Sequence, residues 1–219
     1  TIKFDSTPST FAWIVGKNNG GTKGWAIRNG GSSDRTKLAF YLIGNDASGT
    51  TSRNDIWITD EAVLDANLNT FKVVYDGSNA SFFKNGVSED STRTTTQNVT
   101  DISTSTNMTY GQRGSGGGAI NGKISTLKIY NDTTTFLHAP FSRGRGTDEY
   151  VPTKVLDTSG NGINGMFQGN PSWTTLDGLV SHNALYGFSM STGFDGSDDY
   201  ITIPSSGQST GFDFGSNNF

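Results

Sequence analysis

Hydrophobic side chains recur along this chain at period two, in short runs closed by Gly, Asn, Asp or Pro. Period two puts alternate side chains on one face of an extended strand. The clearest case is Phe71 to Val87, FKVVYDGSNASFFKNGV. Its runs are Phe71-Val73-Tyr75 and Ser81-Phe83, with Val74 and Phe82 between them, and Asp76-Gly77 and Asn85-Gly86 close them. Asp-Gly and Asn-Gly tolerate the positive φ angles of tight turns, so the pattern predicts an antiparallel hairpin.

The same reading predicts strands elsewhere. Thr1 to Val15 holds two, around a turn at Ser6-Thr7-Pro8. Trp25 to Arg28 and Ile56 to Thr59 are short strands, and Trp13 and Trp25 belong to the core. Leu38 to Ile43, LAFYLI, is apolar throughout, which predicts a central strand covered on both faces. Asp60 to Leu68 is read as loop with room for one helical turn capped by Asp60. Glu89 to Ser105 is rich in Ser and Thr and predicts one strand flanked by exposed loop. Met108 to Tyr110 is a strand, and Ser115 to Gly118 a glycine-rich tip. Ile120 to Tyr130 alternates with a register break near Ser125-Thr126. Leu137 to Phe141 is a strand whose Pro140, lacking an N–H, favours an edge. Asp157 to Gly165 is dense turn, and Phe188 to Pro204 gives two strands around Asp195-Gly196-Ser197-Asp198. Many short strands separated by turn signals predict an all-β sandwich.

Composition narrows the function. The 219 residues suit one large β domain or two small ones. With no Cys there is neither a disulfide nor a thiolate metal site. The net charge of −4 gives no electrostatic reason to expect nucleic acid as a partner. No apolar run is long enough to span a bilayer as a helix, so no membrane insertion is expected, and no signal-peptide pattern opens the sequence.

Several motifs together carry a resemblance. They are Tyr75-Asp76-Gly77, Asn85-Gly86, Gly122 to Asn131 (GKISTLKIYN), Pro140-Phe141 with Asp157 to Gly165 (DTSGNGING), and Phe194 to Pro204 (FDGSDDYITIP). The set resembles the laminin G-like domains of the concanavalin A-like lectin/glucanase superfamily. That resemblance implies a jelly-roll β-sandwich of two antiparallel sheets. The segments stand in permuted order: residues 1–135 match the C-terminal part of such a domain and residues 136–219 the N-terminal part. Joined end to start, Asn217-Asn218-Phe219 and Thr1 to Phe4 read as one strand. The chain is therefore expected to be a single domain. Three origins are open: a circular permutant, one unit of a longer repeat array, or a subunit completed by strand exchange with self-association.

The resemblance also directs the search for chemistry. Glucanases of the superfamily carry a Glu-x-Asp-x-x-Glu strand that this sequence lacks, and neither His138 nor His182 has metalloprotease spacing, so no enzyme is expected. Related domains hold a structural Ca²⁺ beside the "D-x-S-G-N-G" loop, which maps to Asp157 and Asn161. Ser125 and Thr126 stand where such domains usually have acidic partners. A second candidate cation group is Asp195, Asp198 and Asp199. A self-bonded turn is the competing reading for the first loop. Sugar binding needs an exposed aromatic platform, for which Trp57, Trp173 and Tyr186 are candidates, against the reading that such rings pack the core. The expectation is a non-catalytic surface recognition or adhesion module, with glycans as partner, on a cell or virion surface or outside the cell. The alternatives are a structural subunit of a virion or filament and, third, a glycoside hydrolase.

Overall fold

The computed structural model describes residues 1–18, 23–113, 115–140, 154–155, 157–168, 172–175, 190–198 and 200–203. Among them there is no helix. The strands of the first half are β1 (Ile2–Phe4), β2 (Trp13–Gly16), β3 (Gly24–Asn29), β4 (Leu38–Asp46), β5 (Arg53–Thr59), β6 (Phe71–Tyr75), β7 (Ala80–Lys84), β8 (Val87–Glu89), β9 (Ser91–Thr95) and β10 (Val99–Asp101). The rest are β11 (Met108–Tyr110), β12 (Asn121–Ile124), β13 (Thr126–Tyr130), β14 (Thr135–Pro140), β15 (Lys154–Val155), β16 (Gly165–Gln168), β17 (Ser172–Thr175), β18 (Met190–Asp195) and β19 (Tyr200–Ile203).

One layer is a large sheet in the order β15-β16-β19-β11-β2-β3-β4-β5-β9, with β10 also paired to β4. Facing it are β1-β12-β18-β17, the pair β13-β14 and the hairpin sheet β6-β7-β8. A bridge between Ile2 and Asn69 links β1 to the residues leading into β6. At Ser125, between β12 and β13, the backbone N–H donates to the Thr1 carbonyl (3.1 Å), so the register break anticipated at Ser125-Thr126 is real. All strand pairs are antiparallel. The result is an all-β jelly-roll sandwich of the concanavalin A-like type.

Residues after 136 enter the same sheets as those before it. β14 pairs with β13, β19 with β11 and β18 with β12, so Tyr110 lies opposite Ile201 and Gly122 opposite Phe194. Phe219 lies outside the described residues, and so does the expected join to Thr1.

Alternation assigns the faces. From β4, Leu38, Phe40 and Leu42 point into the main core, while Ala39 and Tyr41 point outward into a second cluster with Trp13 and Ala26. The covering on both faces read from LAFYLI is thus found. In the hairpin, Tyr75 pairs with Ala80 and Val73 with Phe82. Ala80 and Phe82 are core, and Ser81 and Phe83 face out. Asp76 holds the turn by accepting the Ser78 and Asn79 amides at 2.8 and 2.7 Å.

Two sequence expectations are corrected. Asp60 to Leu68 contains no helical turn; its Val63 and Leu64 amides donate to the Thr36 carbonyl, and both side chains enter the core. Glu89 to Ser105 carries two strands, β9 and β10, rather than one. Ser and Thr carry no hydrophobic alternation there. Their strand state comes from pairing with β5 and β4, which is not a local property.

Candidate functional site

The outward face of β3 and β4 gathers the most distinctive side chains among the described residues. Ile27 and Arg28 are neighbours on β3, and alternation sends Arg28 outward, across from Ala39 and Trp13. The Arg28 guanidinium carbon lies 3.7 Å from the Tyr41 ring centroid and 4.7 Å from that of Phe11. A guanidinium over an aromatic face is attracted by the ring quadrupole.

Phe11 is held unusually. Its φ is +59°, a region that a bulky residue adopts only when its surroundings impose it, and the residue is 52% exposed. The surroundings are two glycines. A Cβ on Gly31 would stand 3.1 Å from the Phe11 ring, closer than ordinary contact, and Gly31 has φ +109°, so the ring lies against a position suited to glycine. Gly118 packs against the Phe11 carbonyl, and its own carbonyl accepts the Trp13 amide at 2.6 Å. The glycine-rich tip thus fixes the Phe11 backbone. The Arg113 Nε donates to the Gly116 carbonyl (3.4 Å), on the same side.

Charge on this face is governed by burial. Burial lowers the Arg28 pKa, the Tyr41 hydroxyl counters it, and the nearby Arg113 cation lowers it further. Burial raises the Tyr41 phenol, opposed by Arg28. The nearby carboxylate, Asp34, accepts from the Ser33 hydroxyl (3.0 Å) and pairs with Lys37 (3.6 Å).

The residues singled out from sequence fare differently. Trp57 is corrected: at 2% exposure it is core, packed on Phe40 and Tyr75 with ring centroids 5.9 and 5.6 Å away, and it offers no platform. It alternates inward with Asp55 and Thr59 on β5. Trp173 lies on β17, its backbone opposite Thr192 on β18. Tyr186 and Asp199 lie outside the described residues. Asp195 ends β18, and Asp198 is exposed in the turn that follows.

Asp157 sits in a closed network. Its Oδ1 accepts the His138 and Ser159 amides at 3.0 and 2.9 Å, and its Oδ2 accepts the Ser159 hydroxyl and the Ile163 amide at 2.7 and 3.1 Å. Four bonds fill the acceptor capacity of a carboxylate. Partial burial pushes the Asp157 carboxyl up, and the bonds from His138, Ser159 and Ile163 outweigh it, leaving it below the ordinary range. The Asn161 amide nitrogen donates to the Thr135 and Phe136 carbonyls at 2.9 and 3.0 Å. As placed, the loop is a self-bonded turn that straps β14, and no group of three or more His, Asp or Glu suited to a metal occurs among the described residues.

A concavity of about 450 Å³ opens between the sheets. Ile14, Ile27, Phe71, Val73, Leu127 and Ile129 line it, so it presents an apolar wall with few convergent polar groups.

Fold and site together define a sandwich that displays an aromatic–cation surface on one sheet. Comparison with known proteins agrees as to the fold: residues 2–136, well over half of the chain, match the Concanavalin A-like lectin/glucanases superfamily in its laminin G-type branch. The chain belongs to that family. No curated protein and no solved structure matches it.

Sequence reasoning did not single out Phe11, Arg28, Tyr41 or Arg113. Phe11 stands at the edge of the run FAWIV, where it reads as another core residue. A partial signal was present: Arg28 closes a strand of otherwise apolar neighbours, the place where an outward cation meets the sheet face.

Proposed function

We propose that this protein is a non-catalytic recognition module that binds glycans on the outer face of the large sheet, with Phe11 as the stacking platform. The observation that carries this reading is the half-exposed Phe11 ring, imposed at positive φ over Gly31 and beside Arg28. Holding an aromatic ring half in water at a strained backbone position costs the unliganded fold more than a buried ring would, whereas a sugar's C–H face gains from a ring so fixed. Arg28, which lies over the ring, supplies hydrogen-bond donors beside it, and Arg113 supplies more from the glycine-rich tip. Family membership supports a binding role without specifying the ligand.

The test is glycan-array and titration binding by the wild type and by Phe11→Ala. The expected outcome is saturable binding weakened at least ~10-fold by the substitution, as loss of one aromatic contact implies, with a melting temperature lowered by no more than a few degrees. Binding by Phe11→Ala equal to the wild type would overturn the assignment of the site. A wild type that binds nothing would overturn the glycan reading itself.

A further inference from the structure

The apolar concavity between the sheets lies where a strand is missing. Among the described residues β6 and β13 each end their own sheet, β6 pairing with β7 and β13 with β14 on the far side. Phe71, Val73 and Leu127 face the concavity and stay only partly buried, although they pack on the main core. β1 shows what fits between the two edges. Ile2 exchanges both backbone bonds with Asn69 at 2.9 Å and pairs with Ile124 on its other side. The Thr1 amine donates to the Thr126 carbonyl (2.8 Å), and the Thr1 carbonyl accepts the Ser125 amide (3.1 Å). Both neighbours run antiparallel to β1, so a strand leading into Thr1 lies between β6 and β13 and can pair with each. Alternation turns the position ahead of Thr1 inward, as Ile2 is, between Phe71 and Leu127. Thr70 turns its carbonyl to the Asn85 amide, on the β7 side, so the Phe71 and Val73 amides point into the slot.

We infer that this slot is the docking site of the chain's own residues 211–219, GFDFGSNNF, with Phe219 in the position ahead of Thr1. That segment lies outside the described residues. Its large apolar side chains are all aromatic, Phe212, Phe214 and Phe219, and a ring entering the slot covers apolar surface that is otherwise half open. Its one charge, Asp213, meets a rim of opposite sign: Lys72 and Lys128 are exposed beside the slot and have no carboxylate partner among the described residues. Reach is sufficient. Fully extended, residues 204–219 span about 50 Å, against a radius of gyration of about 17 Å for a compact chain of this length. A tether of this kind gives the segment an effective concentration of about a millimolar, which favours its own slot over that of a second copy at micromolar protein. Docking joins β7, β6, the segment with β1, β13 and β14 into one layer and leaves neither β6 nor β13 as an open edge. The inference is independent of the glycan reading, which concerns the outer face of the opposite layer.

Two measurements on the full chain test this. The first is hydrogen exchange of the wild type, which needs no variant. The Phe71 and Val73 amides should be protected ~100-fold or more, because a docked strand takes them as donors. Exchange of both at the rate of open chain would overturn the inference. Phe219→Ser should then speed their exchange ~10-fold or more while the β3–β4 ladder stays protected; unchanged exchange would overturn the place given to Phe219. The second uses the absence of Cys from the sequence. Lys72→Cys with Asn218→Cys puts two thiols directly across neighbouring strands on the outer side, where facing Cβ atoms lie about 4.5–5.5 Å apart, close to disulfide spacing. Mild oxidation should give one bond within a monomer, read by mass and by non-reducing electrophoresis. Lys72→Cys with Asn217→Cys, whose second thiol faces inward, should oxidise ~10-fold more slowly. Equal rates for the two pairs would overturn the register. A disulfide-linked dimer as the main product would overturn docking within one chain in favour of exchange between copies, and no bond in either pair would overturn docking altogether.

Discussion

Asp55 offers the sharpest test of how this sandwich holds its irregular edge. The side chain is 2% exposed on β5, between Trp57 and the chain that leaves β9. One oxygen accepts the Gln97 and Asn98 amides at 2.6 and 3.1 Å, and the other accepts the Val99 amide at 2.8 Å. The Arg93 guanidinium stands 3.0 Å away and also lies 4.8 Å from the Trp57 ring centroid. One carboxylate thus satisfies three successive N–H groups that the sheet ladder does not, at a bend where Asn98 has φ +54°. Asp55→Ala leaves those donors and the Arg93 cation without a partner. Taken separately, three bonds to a charged acceptor at about 1.5–3 kcal/mol each would give about 4–9 kcal/mol. The bend lies near solvent and water replaces part of this, so the expected loss is about 3–5 kcal/mol, as for other broken buried ion pairs. For a chain of this size that lowers the melting temperature by about 6–20 °C. Asp55→Asn should lose about 2–4 kcal/mol, because its NH₂ meets amide donors where the carboxylate accepted them. Urea unfolding measures the loss, and hydrogen exchange locates it: the Gln97, Asn98 and Val99 amides should lose protection before the β3–β4 ladder does. A loss under about 1 kcal/mol with those amides still protected would refute the reasoning.

Four further outcomes follow from the same structure. Trp57→Ala should cost about 3–5 kcal/mol of stability, as removing a buried aromatic does, and leave glycan affinity unchanged once only folded protein is counted. Gly118→Ala places a Cβ against the Phe11 carbonyl at φ +67°, so it should destabilise the fold and reduce glycan binding through displacement of the Phe11 platform, both measurable by melting and titration. In acid, Asp46 is held down to about 2, chiefly by the Ser48 hydroxyl, and Asp76 and Asp101 are lowered by the Asn79 amide and by Lys23 respectively. All three folded values lie below the unfolded one, so the stabilisation is full above the ordinary carboxylate range and is lost as pH falls through the folded values, about 2 for Asp46; a melting temperature flat across pH 4 to 2 would contradict this. The acceptor sites of Asp157 being filled by this chain, a chelator should leave the melting temperature within about 1 °C, while Asp157→Ala should lower it by about 2–8 °C, equivalent to about 1–2 kcal/mol.

Strand pairing interleaves the two halves of the chain. β14 takes its place beside β13, and β18 and β19 theirs beside β12 and β11, although they follow those strands in sequence. Sheet position is set by which edges present complementary ladders and apolar faces, and chain order enters only through the loops that must connect them.

What the amino-acid sequence determined by itself was the local state of most strands and the sites of many turns. Period-two alternation and Asp-Gly or Asn-Gly punctuation act within a few residues, so the 71–87 hairpin, the break at Ser125 and the double-sided burial of LAFYLI were legible without coordinates. The Asp157 turn was legible as one of two readings, because its competing reading depended on residues far along the chain. What only the tertiary structure decided was which side of a strand meets another layer. Trp57 and Phe11 are both aromatic residues in apolar runs, yet one is sealed beneath Phe40 and Tyr75 and the other lies open over Gly31. Nothing local distinguishes them, since burial is conferred by whatever packs opposite. The same holds for Arg28, Phe11 and Arg113, which three separate segments bring to one face: their proximity follows from strand register and from the glycine-rich tip seating against Phe11, and both are fixed only when the sheets close.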